Sequence, residues 1–278
     1  AIGVLVQAKF EHVARRYIEQ LPTKKQITIY VGDVVDMDLG LSGEEYNELT
    51  KKITYFYHLA AISYPGASPE TMRRVNVGGT RNTIEFASAC KRLKRYCYFS
   101  TCYVSGTRQG VILENELAMG QRFRNAYEYT KYNAELEVER AKATIPISVI
   151  RPPIVVGDSQ TGEIDRFDGL YYMAMLVAIS PVSIPVPLPG EAIAPLNIIP
   201  VDYLLESAVR IARDKRAIGR TFHVVDPNPL SSRRVWEIVA ARVGRRLAPM
   251  SINSKLLSPL TRLPFLERFT RIPGQAMD

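Results

Sequence analysis

The sequence of 278 residues is poor in the side chains that bind structural metals and form disulfides. It contains three cysteines and three histidines, scattered along the chain. They are Cys90, Cys97, Cys102, His12, His58 and His223. Because none of them has a partner at metal-ligand spacing, no metal site is expected. Sparse thiols are typical of a reducing compartment, so we expect the protein to be cytoplasmic.

Long apolar runs are missing as well. No run of 18 or more apolar residues occurs, which excludes an ordinary membrane-spanning helix. The first ten residues lack a charged leader followed by an apolar core and a small-residue cleavage site, so no secretory signal is expected. The chain starts at Ala1 without a methionine, and we expect it to be a fragment.

Acidic residues are fewer than basic ones, and the imbalance is local. The chain has 36 Lys and Arg against 28 Asp and Glu, a net charge of +8. Residues 201–278 hold 14 basic and 7 acidic side chains, so nearly all of the excess lies in the last quarter. A basic end suits nucleic acid, anionic lipid or a phosphorylated ligand, and it also occurs on an ordinary solvated surface.

Short apolar segments rich in β-branched and aromatic residues predict buried strands. They cover residues 2–6, 27–31, 53–59, 96–99, 147–150 and 221–225. Their mostly continuous apolar character is typical of strands buried on both faces. Helical patterns lie between them, at residues 11–21, 80–93, 126–143 and 201–214. This alternation predicts an α/β fold with a doubly wound parallel sheet and helices on both faces.

The pattern changes after Arg151. Residues 152–200 contain eight prolines, which indicates an irregular, partly extended region around a short apolar helix at 170–177. Regular patterns return at 201–214, 221–225 and 232–243. We therefore predict a first domain over residues 1–157 and a smaller lobe over residues 158–278, from which residues 201–225 return to the main sheet.

The strongest chemical signal is a tyrosine four residues before a lysine at the start of a helical pattern. Tyr127 and Lys131 would share one helix face, so the phenol and the ammonium can converge. A nearby cation favours the phenolate and lowers the pKa of a tyrosine, which makes Tyr127 a candidate proton donor or acceptor. Taken alone, this spacing also occurs by chance on an exposed helix face.

Further motifs stand at the ends of the predicted strands. Residues 99–106 (FSTCYVSG) place hydroxyl groups after one strand, and residues 57–61 (YHLAA) end another in small side chains. Residues 32–34 (GDV) follow a third strand, and residues 76–80 (NVGGT) open a helix. In doubly wound sheets, ligands bind at the carboxyl ends of the strands.

Together these motifs resemble the extended branch of the short-chain dehydrogenase/reductase superfamily. The resemblance implies a Rossmann-type, NAD(P)-binding domain over residues 1–157. It also implies that Thr101 hydrogen-bonds a substrate carbonyl, that Tyr127 is the general acid, and that Lys131 holds the nicotinamide ribose. Asn76 is similar to the structural or relay asparagine of that superfamily. The implied catalytic set is Thr101, Tyr127, Lys131 and Asn76.

The resemblance implies a cofactor site along the same strand ends. Asp33 would meet the adenine amine, and Ala60 and Ala61 would line the cofactor. The implied cofactor-binding residues are Gln7, Asp33, Val34, Leu59, Ala60, Ala61, Asn76, Ser100, Tyr127, Lys131, Pro153 and Ile154.

A narrower resemblance is to thioester reductases and fatty acyl-CoA reductases. Residues 32–41 (GDVVDMDLGL), 151–162 (RPPIVVGDSQTG) and 196–203 (LNIIPVDY) are similar to signatures of that group. The resemblance implies NADPH-dependent reduction of an acyl-CoA or a carrier-bound acyl thioester to an aldehyde or alcohol. Pro153 and Ile154 would lie beside the nicotinamide.

Two departures stand out. The superfamily begins with a strand and a Gly-x-x-Gly-x-x-Gly turn for the cofactor pyrophosphate, and no such motif occurs here, so the first βα unit is expected to be missing from this chain. Gln7 stands where the reductase group usually has an arginine for the 2′-phosphate of NADP. NADP is still preferred over NAD as the expected cofactor.

Two other classes of protein stay open as alternatives. One is a different extended short-chain enzyme, such as a nucleotide-sugar epimerase or dehydratase or a hydroxysteroid-type dehydrogenase, and the other is a non-catalytic NAD(P)-binding protein. The basic lobe suits a phosphate-bearing thioester better than nucleic acid, so no nucleic-acid partner is expected. The apolar and basic tail at residues 256–269 leaves peripheral membrane contact as a further option. Cys102, beside Thr101, is interpreted as a packed thiol rather than a nucleophile.

Overall fold

A computed structural model describes residues 1–64, 66–164, 169–180, 186–189 and 193–252. The strands are β1 (Ile2–Val6), β2 (Ile27–Val31), β3 (Tyr55–His58), β4 (Arg95–Phe99), β5 (Ile147–Arg151), β6 (Ile154–Val156), β7 (Val186–Pro189), β8 (Ile198–Pro200), β9 (Thr221–His223) and β10 (Leu247–Ile252). The helices are α1 (Glu11–Glu19), α2 (Gly43–Lys52), α3 (Pro69–Met72), α4 (Gly79–Ala89), α5 (Ala126–Ala141), α6 (Leu170–Ile179), α7 (Val201–Arg213) and α8 (Ser232–Arg242). The tail at residues 256–269 lies outside the described residues.

The central sheet is parallel and has the order β3-β4-β5-β9. Its two middle strands, β4 and β5, are almost fully buried, which explains their continuous apolar sequence. Tyr96, Tyr98 and Ile147 pack in one core with Ala87 of α4 and Val138 of α5. The predicted α/β fold with a parallel sheet is therefore confirmed.

The first two strands form a parallel pair of their own, β1-β2, within the described residues. A single sheet was predicted, and β1 has no ladder to β3 among the described residues. Tyr55 and Tyr57 of β3 are 41% and 40% exposed, unlike the buried middle strands.

The helix that carries Asn76 begins earlier than predicted. Ser68 caps α3 by accepting a hydrogen bond from the backbone N–H of Thr71, and Pro69 follows at the first helical position. A π-helical turn, Arg73–Gly78, then joins α3 to α4. Residues 76–80 therefore lie inside a helix and do not open one, because the start signal is the Ser-Pro pair upstream.

A buried arginine ties the central sheet to α7. Arg95, at the start of β4, is 2% exposed. Its guanidinium donates to the Ser148 hydroxyl at 2.6 Å and to the backbone carbonyls of Asp214 at 2.8 Å and Ile211 at 3.3 Å. Cations are favourable at helix C-termini, where backbone carbonyls lack partners. Arg95 therefore fixes the end of α7 against β4 and β5.

The chain divides into two compact units. Unit 1 comprises residues 1–155 and 199–225. It contains every candidate site residue predicted from the sequence, from Gln7 to Ile154. Unit 2 comprises residues 156–198 and 226–278. Within unit 2, Val177 of α6 packs with Trp236 and Ala240 of α8. Strand β7 pairs with β10 in parallel.

Candidate active site

The carboxyl ends of β1 and β2 bring Gln7 and Asp33 together. The Gln7 amide donates a hydrogen bond of 2.6 Å to the Asp33 carboxylate, and the second carboxylate oxygen accepts the backbone N–H of Val35 at 3.1 Å. Gln7 directly follows β1 and Asp33 comes two residues after the end of β2, and the two strand ends are paired at Val6 and Val31. The Gln7 amide therefore binds a carboxylate at the position where the reductase group usually has an arginine.

The loop after β2 is shaped by close backbone packing. The Asp33 backbone N–H donates to the Leu39 carbonyl at 2.9 Å, and Leu39 has a positive φ of 62° while its side chain is buried. A Cβ on Gly32 would lie 2.2 Å from the Leu39 carbonyl oxygen, so only glycine fits there. The Gly-Asp…Leu-Gly-Leu signature thus folds into one compact turn that presents Asp33.

Val34 anchors this turn to α4. Its side chain occupies the space beside Gly79, where an added Cβ would come within 2.8 Å of a Val34 methyl group. Asn82 donates to the Val34 carbonyl at 2.9 Å and to the Asp36 carbonyl at 3.2 Å. Because α4 holds the turn in this way, Val34 and Asp33 have fixed positions at the edge of the sheet.

The chain after β3 is open to solvent. Leu59, Ala60 and Ala61 are exposed, whereas the preceding His58 is buried and hydrogen-bonds the Thr80 hydroxyl at 2.9 Å. Burial lowers the pKa of His58 to about 3, so this imidazole is neutral. Small, exposed side chains at a strand end leave room for a planar ligand against the backbone.

The side-chain amide of Asn76 links two segments of the protein through hydrogen bonds. Its amide nitrogen donates to the Ile62 carbonyl at 3.0 Å and to the Thr130 hydroxyl at 3.0 Å, and its amide oxygen accepts the Ile62 N–H at 2.7 Å. Both amide hydrogens are therefore used within the protein. Asn76 therefore joins the segment after β3 to α5.

Ser100 and Thr101 follow β4 and point to different partners. Ser100 donates its hydroxyl hydrogen to the Glu135 carboxylate, so this side chain is directed at α5. The Thr101 hydroxyl accepts the Tyr103 backbone N–H at 3.2 Å and donates to the Pro152 carbonyl at 3.5 Å. The Pro152 carbonyl thereby holds the β4 end beside half-buried Pro153 and Ile154. Burial raises the pKa of the Cys102 thiol to about 12.

Tyr127 lies in the first turn of α5, which Asn125 caps by accepting the Glu128 backbone N–H. The phenol is half-buried, and hydrogen bonding with the Thr101 hydroxyl lowers its pKa while burial raises it. Burial dominates, and the pKa of Tyr127 is raised to about 12. The lowered pKa expected from Lys131 is thus not found, because removal from water disfavours the phenolate more than neighbouring groups favour it.

Lys131 is buried one helical turn further along α5. Its ammonium donates to the Phe99 carbonyl at 2.7 Å and lies 4.5 Å from the centre of the Tyr98 ring. Burial lowers the pKa of Lys131 to about 8, and the negative charge of Glu135 opposes that shift. The structure therefore gathers Thr101, Tyr127 and Lys131 around the end of β4.

Three polar residues beside the candidate site were not predicted from the sequence. Buried Glu135 and Arg151 and half-buried His223 form a polar chain behind the Ser100 end of β4. Glu135 stands four residues after Lys131. This spacing places both side chains on one face of a helix, and it is the sequence pattern from which Glu135 could have been predicted. Its partner Arg151 was noted only as part of a motif, because pairing across 16 residues does not show in a local pattern.

The arrangement fits a dinucleotide in part. Asp33 and the small residues after β3 lie beyond the carboxyl ends of their strands, and Lys131 of α5 binds the last residue of β4. In doubly wound sheets, dinucleotides bind at such strand ends. A glycine-rich turn for the pyrophosphate is not among the 278 residues. In the described part of the chain, no group of three His, Cys, Asp or Glu side chains could hold a metal ion. None of the described helices has the length and apolar character needed to cross a membrane.

Curated proteins are similar in sequence to this chain. A non-canonical nonribosomal peptide synthetase of Aspergillus campestris is 28% identical over 247 residues, covering 80% of this chain and 22% of that protein. A putative fatty acyl-CoA reductase of Drosophila melanogaster is 25% identical over 296 residues, covering 90% of this chain and 52% of that protein. The chain thus spans less than two thirds of each relative.

A solved structure matches nearly the whole chain. The terminal R domain from the myxalamid PKS-NRPS biosynthetic pathway superposes with a TM-score of 0.81 at 27% identity, covering 99% of this chain and 73% of that one. The family model of NAD-binding domains described as male sterility protein matches residues 4–208. Because that match covers well over half of the sequence, this chain belongs to the male sterility protein family.

Proposed function

We propose that this chain is the catalytic part of a reductase that uses NADPH to convert an acyl thioester to an aldehyde. The thioester is carried by coenzyme A or by a carrier protein, and the aldehyde can be reduced again to an alcohol. The observation that carries the proposal is the meeting of Thr101 and Tyr127 at the end of β4, with Lys131 behind them. The membership of the family supports it.

The two hydroxyl groups would act on the carbonyl oxygen of the substrate. Thr101 and Tyr127 hydrogen-bond the oxyanion that develops there, where preorganised donors help most. The cofactor supplies the hydride to the carbonyl carbon. Collapse of the adduct breaks the carbon–sulfur bond and releases the thiolate, which takes up one proton. Because the pKa of Tyr127 is raised to about 12, its phenol is protonated at neutral pH and suited to donate.

The remaining site residues would hold the cofactor. Asp33 and Val34 lie where the adenine is expected, and Leu59, Ala60 and Ala61 flank the path towards the nicotinamide. Lys131 would hold the nicotinamide ribose, and Pro153 and Ile154 would line the nicotinamide. Gln7 carries no charge, so the proposal of NADPH over NADH rests on the resemblance to the reductase group.

The partner is proposed to be a phosphate-bearing thioester in the cytoplasm. Both coenzyme A and the phosphopantetheine arm of a carrier protein bear phosphate, which suits the excess of basic residues after residue 200. We propose no nucleic-acid partner, since the site chemistry is that of a carbonyl reductase. Peripheral membrane contact stays an alternative, and the tail that suggested it lies outside the described residues.

The test is cofactor oxidation by the full-length protein with a panel of acyl-CoA and carrier-bound thioesters. We expect loss of NADPH absorbance together with release of free thiol and aldehyde. Tyr127→Phe should lower kcat by about 100-fold or more, because a positioned general acid contributes that much. Tyr129→Phe is the matched control, since this exposed tyrosine lies on the same helix. Turnover of a UDP-sugar without oxidation of NADPH by any thioester would overturn the proposal.

A further inference from the structure

A fully buried ion pair lies behind the candidate active site. The Glu135 carboxylate of α5 accepts two hydrogen bonds from the Arg151 guanidinium, at 2.6 Å and 2.9 Å, through the same carboxylate oxygen. The two side chains are 0% and 2% exposed. Replacing such a pair by apolar residues is often neutral or stabilising, so its presence here is not explained by stability alone.

The pair connects the ends of three strands. The other carboxylate oxygen of Glu135 accepts the hydroxyl hydrogen of Ser100, which follows β4 and precedes Thr101. Arg151 ends β5, and its guanidinium also lies 3.1 Å from the imidazole of His223, which ends β9. The same guanidinium donates to the Glu116 carbonyl at 3.2 Å. One carboxylate thus fixes the strand ends on which the candidate catalytic residues depend.

Glu135 also faces Lys131 on the same side of α5. Residues four apart on a helix are neighbours. Among the described residues, the other titratable groups that interact with the Lys131 ammonium are Tyr98 on β4 and His58 on β3. Of the two effects on the pKa of Lys131, burial lowers it and Glu135 raises it. Glu135 is therefore the negative charge that opposes, in part, the effect of burial on Lys131.

We infer that Glu135 is a positioning residue, which holds Lys131 and the Thr101 end of β4 in the arrangement that the reaction needs. This inference rests on the proposed function for its kinetic part, and its electrostatic part can be measured without any substrate. A carboxylate at this place keeps the ammonium of Lys131 charged and anchors Ser100, so it acts through its neighbours and touches no reacting atom.

The first experiment titrates Lys131 in the full-length protein. Lysine labelled with ¹³C at Cε is followed by NMR against pH, and Lys131→Met identifies the resonance. In the parent protein the resonance should titrate near pH 8. Glu135→Gln removes the opposing charge, so the pKa of Lys131 should fall by about one unit. Glu137→Gln changes a half-buried carboxylate of α5 that pairs with Arg81 and Arg140, and it should leave the pKa of Lys131 unchanged.

The second experiment measures kcat against pH with the best thioester. Since the charged lysine is lost at lower pH in Glu135→Gln, the alkaline limb should move down by about one unit and kcat at pH 8 should fall roughly fivefold. Glu135→Leu combined with Arg151→Met removes both partners of the ion pair, so neither is left without the other, and it should fold, as circular dichroism can show. This double variant should show the same loss of kcat at pH 8.

Two outcomes overturn the inference. One is a folded Glu135 variant, single or double, in which Lys131 titrates as in the parent. The other is a folded variant that keeps both the parent kcat and the parent pH profile. A parent protein that reduces no thioester would refute the proposed function instead, and the NMR titration would still decide the electrostatic part.

Discussion

The ammonium of Lys131 donates a hydrogen bond of 2.7 Å to the backbone carbonyl of Phe99. This contact fastens α5 to the last residue of β4, two residues before Thr101. The helix face that carries Tyr127 is therefore held at a set distance from the strand end. Lys131 therefore has a structural role that does not depend on a bound ligand.

The pH dependence of turnover should report the charge on Lys131. Because burial lowers its pKa to about 8, the ammonium is present below that pH and is lost as the pH rises through it. We expect kcat to fall on the alkaline side of about pH 8. Arginine stays charged at all accessible pH values, so any activity left in Lys131→Arg should lack this limb. An unchanged limb in that variant would contradict the assignment.

Gln7 should govern the choice between NADPH and NADH. Its amide now binds the Asp33 carboxylate at 2.6 Å. Gln7→Arg would add a guanidinium, which pairs well with phosphate, and it should raise the ratio of kcat/KM for NADPH over NADH by about tenfold. Gln7→Glu should shift the ratio in the opposite direction through repulsion. Equal ratios in both variants would place the 2′-phosphate elsewhere.

Arg95 should matter for stability and not for chemistry. Arg95→Met leaves the carbonyls of Ile211 and Asp214 and the Ser148 hydroxyl without their charged donor. We expect the free energy of unfolding to fall by about 2–3 kcal/mol, with kcat per folded molecule unchanged. Arg216→Met removes an exposed partner of Asp214 and should not change stability measurably. Urea titration measures both.

Gly106 should tolerate no side chain. It has a φ of 61°, and an added Cβ would lie 2.0 Å from the Arg122 carbonyl oxygen, so the loop after Thr101 would have to move. Gly110 has a φ of 81° with nothing near its Cβ position. Gly110→Ala should therefore cost only strain, about 1 kcal/mol, while Gly106→Ala should cost more and also lower kcat. Equal effects would show that the contact with Arg122 is unimportant.

Cys102 should be chemically inert despite its place beside Thr101. Burial raises the pKa of its thiol to about 12, and the thiol donates to the Arg151 carbonyl at 3.2 Å. A thiol without thiolate character does not react with alkylating reagents. Mass spectrometry should find Cys102 unmodified by iodoacetamide until the protein is unfolded, and Cys102→Ala should retain turnover. Inactivation by alkylation of the folded protein would contradict this.

The sequence by itself determined most strands of the parallel sheets, several helices and the candidate residues of the site. β1 and β2 begin and end as predicted, and α5 begins at the predicted residue. Continuous apolar runs and helical periodicity are local properties, so burial of a strand or of a helix face follows from them directly. The four-residue spacing of Tyr127 and Lys131 likewise needed only the geometry of a helix.

The tertiary structure alone decided what each polar side chain binds. Asn76 is committed to Ile62 and Thr130, and Ser100 to Glu135, through pairings that span 14 to 54 residues. It also decided the protonation of Tyr127, whose pKa rises because the surroundings exclude water. Hydrogen-bond partners and desolvation depend on which distant segments of the chain come into contact. A local sequence pattern does not contain that information.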